Sequence, residues 1–309
     1  LTALREIAES WEHHPTFFEI TLALAMKHFA DRACEVVILE TGMGGRLDAT
    51  TAVPADVAVL TSVALDHQQW LGETLEEIAA EKAAIIVPKK PVVSTPQAPG
   101  VRVVIEQEAN ERRAPLEVVE TPLSGYSLGL PGEHQRFNAA AALAALYAAG
   151  IPLNYETVKS GLGSVVHPGR FEGLSPAGFH APVTLDIAHN PSASKALAAT
   201  WRERFRNRNA VLVFGAVSAK DIPGMLGHLL PLAAEVHFVP VNSPRAVPPA
   251  DLEAHLPGGH PPVHRHHSLA GALEALAGCE HPVLVTGSAF LVGEAKALLQ
   301  GQSHVPSTQ

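Results

Sequence analysis

An α/β fold in two successive units is predicted by three features of the 309-residue sequence. Apolar, β-rich runs alternate with helical patterns along the chain. Several of these runs are almost continuously apolar, as expected for parallel strands covered on both faces. Gly161, Gly163, Pro168 and Gly169 then cluster at a break, beyond which a second alternating series begins. The break divides the chain into 1–166, a parallel-rich sheet unit, and 167–309, a doubly wound, Rossmann-like unit.

Taken in order, residues 1–11 read as a helix. Residues 34–40 (CEVVILE) and 57–63 (VAVLTSV) read as buried strands, with a glycine-rich turn between them. A helix is predicted over 74–86, where Thr74 and Glu77 form a capping box and Pro88 follows the end. Residues 91–94 read as a strand. The weakly patterned stretch 96–130 is assigned a small antiparallel excursion. An Ala-rich helix covers 138–149 and is closed by Gly150 and Pro152. The second series has strands at 183–187, 210–214, 236–241 and 283–286. Its helices lie at 192–204, 222–232, 269–277 and 290–299. The polar tail from 301 is expected to fray.

Composition narrows the function. Hydrophobic residues make up 47% of the chain, enough for a sizeable core. The net charge of −9, with no basic run longer than Lys89 and Lys90 or Arg112 and Arg113, argues against nucleic acid as a partner. The longest small-apolar helix falls short of the roughly 20 residues that a membrane span needs. Two cysteines, Cys34 and Cys279, stand far apart, which fits a reducing cytoplasm. Cys34 opens an apolar run and is expected to be a buried thiol. The chain opens on Leu1 rather than Met, so it is expected to begin inside a longer protein.

Chemistry gathers at the ends of predicted strands, where open α/β sheets bind ligands. The run 34–40 ends at Glu40 and enters Thr41-Gly42-Met43-Gly44-Gly45-Arg46-Leu47-Asp48. A carboxylate followed by glycines offers an oxygen ligand for Mg²⁺ beside backbone that can approach a phosphate. The next strand leads to Asp66 and His67. On the helix after it, Lys82 shares a stripe with Leu75, Ile78, Ala79 and Ile86, an apolar setting that disfavours a bare ammonium. It is either a stem that snorkels to water or a lysine held against a metal–phosphate centre. In the second unit Asp186 closes a strand, and His189-Asn190-Pro191 opens a helix that Asn190 or Ser192 caps. Arg170, planar and permanently charged, suits a phosphate or carboxylate. The histidines of HRHH at 264–267 are read as a solvated loop, as are His13 and His14. No Gly-x-x-x-x-Gly-Lys-Ser/Thr loop occurs.

The stretches PTFFE (15–19), LETGMGGRLDAT (39–50), LDHQQWLGETLEEIAAEKAAI (65–85), GEHQRFNAAAA (132–142), HPGRFE (167–172), LDIAHNP (185–191) and FGAVSAKD (214–221) resemble, in this order, the folylpolyglutamate synthase and dihydrofolate synthase family of the Mur ligase superfamily. The resemblance runs from about Pro15 to Glu294. It implies a central ATPase domain lacking its phosphate-binding loop, followed by a Rossmann-like ligase domain. It also implies an activity. ATP phosphorylates a carboxylate of dihydropteroate or a folate, the amine of L-glutamate attacks the acyl phosphate, and phosphate leaves.

Carried over by motif, Glu40 and His67 are Mg²⁺ ligands, and Lys82 matches a lysine that is carbamylated. Asn138, Arg170, Asp186 and Asn190 fall at nucleotide positions, and His189 joins Lys82 among the catalytic side chains. Thr16, Phe17, Phe18 and Glu19, with Leu47, Asp48 and Ala49, match the segment that holds the pterin end. One of the two phenylalanines is expected to be core. Departures from the pattern stand at Ala84 and Ile187, where the family has Gly, at Ala219 for Asp, and at His167 for Trp. The implied ligands are ATP, Mg²⁺, L-glutamate and a folate or dihydropteroate, acting on a monomer. Without the phosphate loop, this stretch by itself is expected to bind ATP poorly and to be inactive. Two rival readings are a Mur-type cell-wall ligase and a non-catalytic remnant.

Overall fold

Hydrogen-bonded pairing, beyond apolar composition, decides which runs become sheet. The computed structural model describes residues 2–9, 12–206 and 208–302. Two compact units emerge and interleave in sequence: 1–120 with 141–152, and 121–140 with 153–309. The predicted first helix is described over Thr2–Ala8 (α1), while residues 1, 10 and 11 of it lie outside the described residues. So do residues 303–309 of the tail.

In the first unit α2 (Phe17–Asp31) is followed by β1 (Ala58–Leu60), α3 (Gln68–Leu71), α4 (Leu75–Ala83), β2 (Val92–Ser94), α5 (Pro99–Glu111) and β3 (Leu116–Val118). The three strands form one parallel sheet in sequence order, with Ala58 opposite Val92 and Val92 opposite Leu116. Ala79 and Ala83 of α4 meet Val101, Ile105 and Ala109 of α5 in a core with Leu60 and Val92. Thr74 and Glu77 form the capping box anticipated for α4.

Three expectations fail here. Residues 96–130 hold a helix and a parallel strand instead of an antiparallel excursion. Residues 34–40 are not assigned as strand, because no neighbouring segment among the described residues pairs with them. With that face uncovered, Val36, Val37 and Ile38 are exposed. Cys34, which opens the run, is exposed as well and is no core thiol.

In the second unit a helix, α6 (Glu133–Ala148), whose last turns belong to the first unit, precedes α7 (Tyr155–Ser164). There follow β4 (Glu172–Leu174), β5 (Val183–Asp186), α8 (Pro191–Phe205), β6 (Ala210–Phe214), α9 (Ile222–Leu229) and β7 (Ala233–Phe238). The series ends with α10 (Pro249–Glu253), β8 (Val263–Arg265), α11 (Leu269–Ala275), β9 (Val283–Thr286) and α12 (Ala289–Leu299).

The six strands lie in the order β4-β5-β9-β6-β7-β8, parallel except for the edge strand β4. Leu197 and Trp201 of α8, Met225 and Leu226 of α9 and Leu252 of α10 share one core. Leu269 and Leu273 of α11, with Leu291 and Val292 of α12, build the core on the opposite face. Neighbouring strands β5 and β9 therefore send their following helices to opposite faces. This is a topological switch point, where such sheets open a crevice for ligands. Among the described residues no helix is long and apolar enough to cross a membrane.

Candidate active site

In the first unit the chain after Glu40 is shaped by one buried carboxylate. Asp48 Oδ2 accepts from the backbone N–H of Gly42 at 2.7 Å and of Met43 at 3.0 Å. Its Oδ1 accepts from the N–H of Thr50 at 2.9 Å and the Thr50 hydroxyl at 2.6 Å. Burial pushes the Asp48 carboxyl up, but these four donors outweigh it and hold the group below the usual carboxylate range. The amides of Gly42 and Met43 consequently donate inward, to Asp48, and not toward a phosphate. An Asx pattern in Asp48-Ala49-Thr50 was the available sequence signal for this role.

Gly45 fixes the loop to α4. A Cβ there would sit 2.6 Å from the carbonyl oxygen of Glu81 and 3.0 Å from that of Lys82. Only a glycine allows the two backbones to approach so closely. The Arg46 N–H donates to that same Glu81 carbonyl at 3.0 Å, and Arg46 Nε meets Glu81 Oε1 at 2.8 Å.

Lys82 lies on this helix, half-buried, in the stripe whose neighbours Ile78 and Ala79 are fully buried. Glu40 is exposed at the end of its extended run. His67 adopts the left-handed conformation, φ 53° and ψ 33°, just before α3. Its N–H donates to Asp66 Oδ1 at 2.9 Å, a turn that the imidazole shares with a half-buried acid.

The segment assigned to the pterin end divides into two groups. Thr16 and Glu19 cap α2 reciprocally: Thr16 N–H donates to Glu19 Oε2 at 2.6 Å, and Glu19 N–H to Thr16 Oγ1 at 3.3 Å. The backbone N–H of Thr16, followed by its hydroxyl, holds the Glu19 carboxyl below its usual range. Phe17 is 72% and Phe18 40% exposed, so neither is core, contrary to expectation. The Phe18 ring covers Gly42, while Leu47 projects into solvent and Ala49 is half-buried.

In the second unit Asp186 stands at the switch point. Its Oδ2 accepts from the Phe171 N–H and its Oδ1 from the Ala188 N–H, both at 2.9 Å. Burial raises its carboxyl above the ordinary aspartate value, against the two backbone donors and the nearby charges of Arg170 and His189. The His189 Nδ1 lies 3.0 Å from the Ile187 carbonyl. A carbonyl only accepts, so in the neutral ring Nδ1 carries the proton and Nε2 keeps its lone pair. Asn190 caps α8 through Oδ1 to the Ala193 N–H at 2.8 Å. Asn138 donates to Gln135 Oε1 at 3.1 Å within α6.

The sign of the Asp186 shift sets a pH dependence. A carboxyl whose folded value is raised binds its proton more tightly in the native state. Its contribution to stability is full below the ordinary aspartate value and is lost as pH rises through the raised one. Replacing Arg170 with Met removes a nearby positive charge and should move the Asp186 titration further upward. ¹³C NMR of the carboxyl reads this directly; an unmoved or lowered midpoint would show that the guanidinium does not act on Asp186.

Comparison with known proteins fits this arrangement. The Mur ligase middle domain family matches residues 2–94, and the glutamate ligase domain of the Mur ligases matches 169–289. The dihydrofolate synthase/folylpolyglutamate synthase of Escherichia coli K12 is 36% identical over 307 residues, covering 93% of this chain and 70% of that protein. This chain belongs to the dihydrofolate synthase/folylpolyglutamate synthase family. The family member of Bacillus subtilis 168 is 33% identical over 93% of this chain and 73% of its own length.

Solved structures of the family carry ligands. E. coli FolC in complex with DHPP and ADP superimposes with a TM-score of 0.83 at 33% identity, covering 93% of this chain and 72% of that one. The Yersinia pestis bifunctional synthase complexed with AMPPNP and Mn ion gives 0.82 at 31%, over 94% and 72%.

The departures noted in the sequence fall in different settings. Ile187 packs its Cγ2 onto Gly169, which has φ +71° and no room for a Cβ beside it. Ala84 is right-handed, φ −60°, so no glycine is needed there. Ala219, at φ 65°, occupies a left-handed position that Asp tolerates better than most residues. His167 is exposed at the turn before Gly169.

Proposed function

We propose that this chain carries the chemistry of an ATP-dependent ligase that joins L-glutamate to dihydropteroate or a reduced folate through an acyl phosphate. The likeness to named synthases across 93% of the chain is the observation that supports it most. The related structures hold ADP with DHPP, and AMPPNP with Mn ion. The ligand classes assigned here are the same: an adenine nucleotide, a divalent metal and a pterin-bearing acceptor.

In this reading residues 1–166 serve the nucleotide, metal and acceptor, and 167–309 the nucleotide and the incoming glutamate. Glu40, an exposed and hard oxygen donor, and His67 are the Mg²⁺ ligands. Bound there, the ion would supply charge neutralisation for the phosphate oxygens. Lys82 is carbamylated: its amine adds to CO₂ with release of a proton, placing a carboxylate-like anion on α4.

Phe17 and Leu47 present apolar surface to the flat pterin, while Phe18 and Ala49 back it. Thr16, Glu19 and Asp48 hold the shape of that segment through the bonds already described. Arg170 and Asn138 contact nucleotide phosphate and sugar. Asp186 and Asn190 fix the switch-point turn from which His189 offers Nε2 to the proton released by the glutamate amine. The enzyme works as a cytoplasmic monomer.

The test is an acceptor panel with labelled glutamate, ATP and Mg²⁺, using the protein as its gene encodes it. Incorporation into dihydropteroate or reduced folate, with one ADP formed per glutamate, is expected. Turnover of a nucleotide-linked muramyl acceptor instead would move the chain to the cell-wall ligases. Nucleotide binding without turnover of any acceptor would make it a non-catalytic relative.

A further inference from the structure

At the edge of the second sheet opposite Asp186, β7 and β8 bring three metal-ligating side chains together. His237 and His264 face each other directly across the parallel pair, and Glu235 precedes His237 by one pleat. All three stand on the face opposite Val236 and Phe238, which belong to the core. Glu235 Oε1 lies 3.5 Å from His237 Nε2, and Glu235 Oε2 lies 3.5 Å from His264 Nε2. One donor atom from each residue falls within 4.8 Å of the other two. The sequence reading of His264 as part of a solvated loop is thereby corrected: it sits in a strand.

A second observation points to a ligand. His237 is only 5% exposed, and its Nε2 has no hydrogen-bond partner. The Glu235 oxygen at 3.5 Å is too distant to satisfy it. A buried polar atom without a partner is costly, and such atoms commonly mark an unfilled ion or water position. The other ring nitrogen is already oriented. His237 Nδ1 lies 2.9 Å from His266 Nε2. With Nδ1 as donor, His237 presents the bare Nε2 lone pair that a metal requires, and His266 becomes the outer partner that fixes the tautomer.

We propose that Glu235, His237 and His264 form a binding site for a first-row divalent ion of the Zn²⁺ type, separate from the switch-point and Glu40 sites. In a tetrahedral zinc site with bonds of about 2.0–2.1 Å, ligand atoms stand about 3.4 Å apart. The two 3.5 Å separations, one to each carboxylate oxygen of Glu235, lie close to that edge, and the three ligand atoms stand within 4.8 Å of one another. Two imidazoles among three ligands favour Zn²⁺ over Mg²⁺ or Ca²⁺, which prefer shells made mostly of oxygen. The side chains of Glu235 and His264 are 34% and 50% exposed, which leaves the fourth position open to water or an exchangeable ligand.

The test is titration of chelator-treated protein with Zn²⁺ in the presence of excess Mg²⁺, with Co²⁺ as the spectroscopic probe. One tightly held ion per chain and a tetrahedral Co²⁺ spectrum are expected. His264→Ala and Glu235→Gln, both at the surface, should each weaken binding at least about tenfold, since even outer-partner losses reach about 10–100-fold. His266→Ala should fall in that outer-partner range. The adjacent His267→Ala serves as the control and should bind as the parent does. Unchanged stoichiometry and affinity in both His264→Ala and Glu235→Gln would overturn the proposal, as would the absence of any tight Zn²⁺ site.

Discussion

Glu40→Gln is expected to lower ATP-dependent glutamate addition roughly 10³-fold while leaving the protein folded. Glutamine keeps the size of the side chain, removes its charge and replaces one acceptor oxygen with an NH₂ donor. Loss of an anionic metal ligand forfeits several kcal/mol of stabilisation where charge develops on phosphate, and about 4 kcal/mol corresponds to that rate factor. Glu40 is exposed, so substitution should shift stability by no more than about 0.5 kcal/mol. Steady-state assay and thermal unfolding together separate the two effects. Turnover within about tenfold of the parent would remove Glu40 from the metal assignment.

Why some of this was legible beforehand, and some not, follows from how local each signal is. The α4 capping box and the Asn190 cap were readable because both partners lie within three residues. Strands β5, β6 and β9 of the second sheet were readable as buried parallel runs. Helix α5 escaped because it begins at Pro99 and Gly100 with no side-chain cap, although Val101, Ile105 and Ala109 keep a four-residue spacing. Strands β4 and β8 span three residues each, too short for a period to register. Residues 34–40 have the composition of a strand, yet strand formation depends on a neighbour, which composition does not reveal. The role of Asp48, and the grouping of Glu235 and His237 with His264, depend on tertiary placement.

Trp201→Ala should destabilise the second unit by about 3–5 kcal/mol, the usual loss for truncating a buried aromatic. The indole is fully buried, with its ring 4.1 Å from Phe205 and 6.3 Å from Phe171 between centroids. Its N–H donates to the Arg208 carbonyl at 2.8 Å, so alanine also leaves that acceptor without its donor. The loss should extend to function, because the Phe171 N–H is one of the two donors that hold Asp186. Urea unfolding monitored by far-ultraviolet circular dichroism gives the number. A loss below about 1 kcal/mol would mean that neighbouring helices collapse into the space.

The contact of Gly45 with the carbonyls of Glu81 and Lys82 also limits how this enzyme can be altered. A designer who reshapes the 42–48 loop to admit a bulkier acceptor would drag α4, and with it Lys82, out of register. If the proposed roles of these two segments hold, acceptor preference and the chemical step share one mechanical joint, and selection for a new substrate must find paired changes on both.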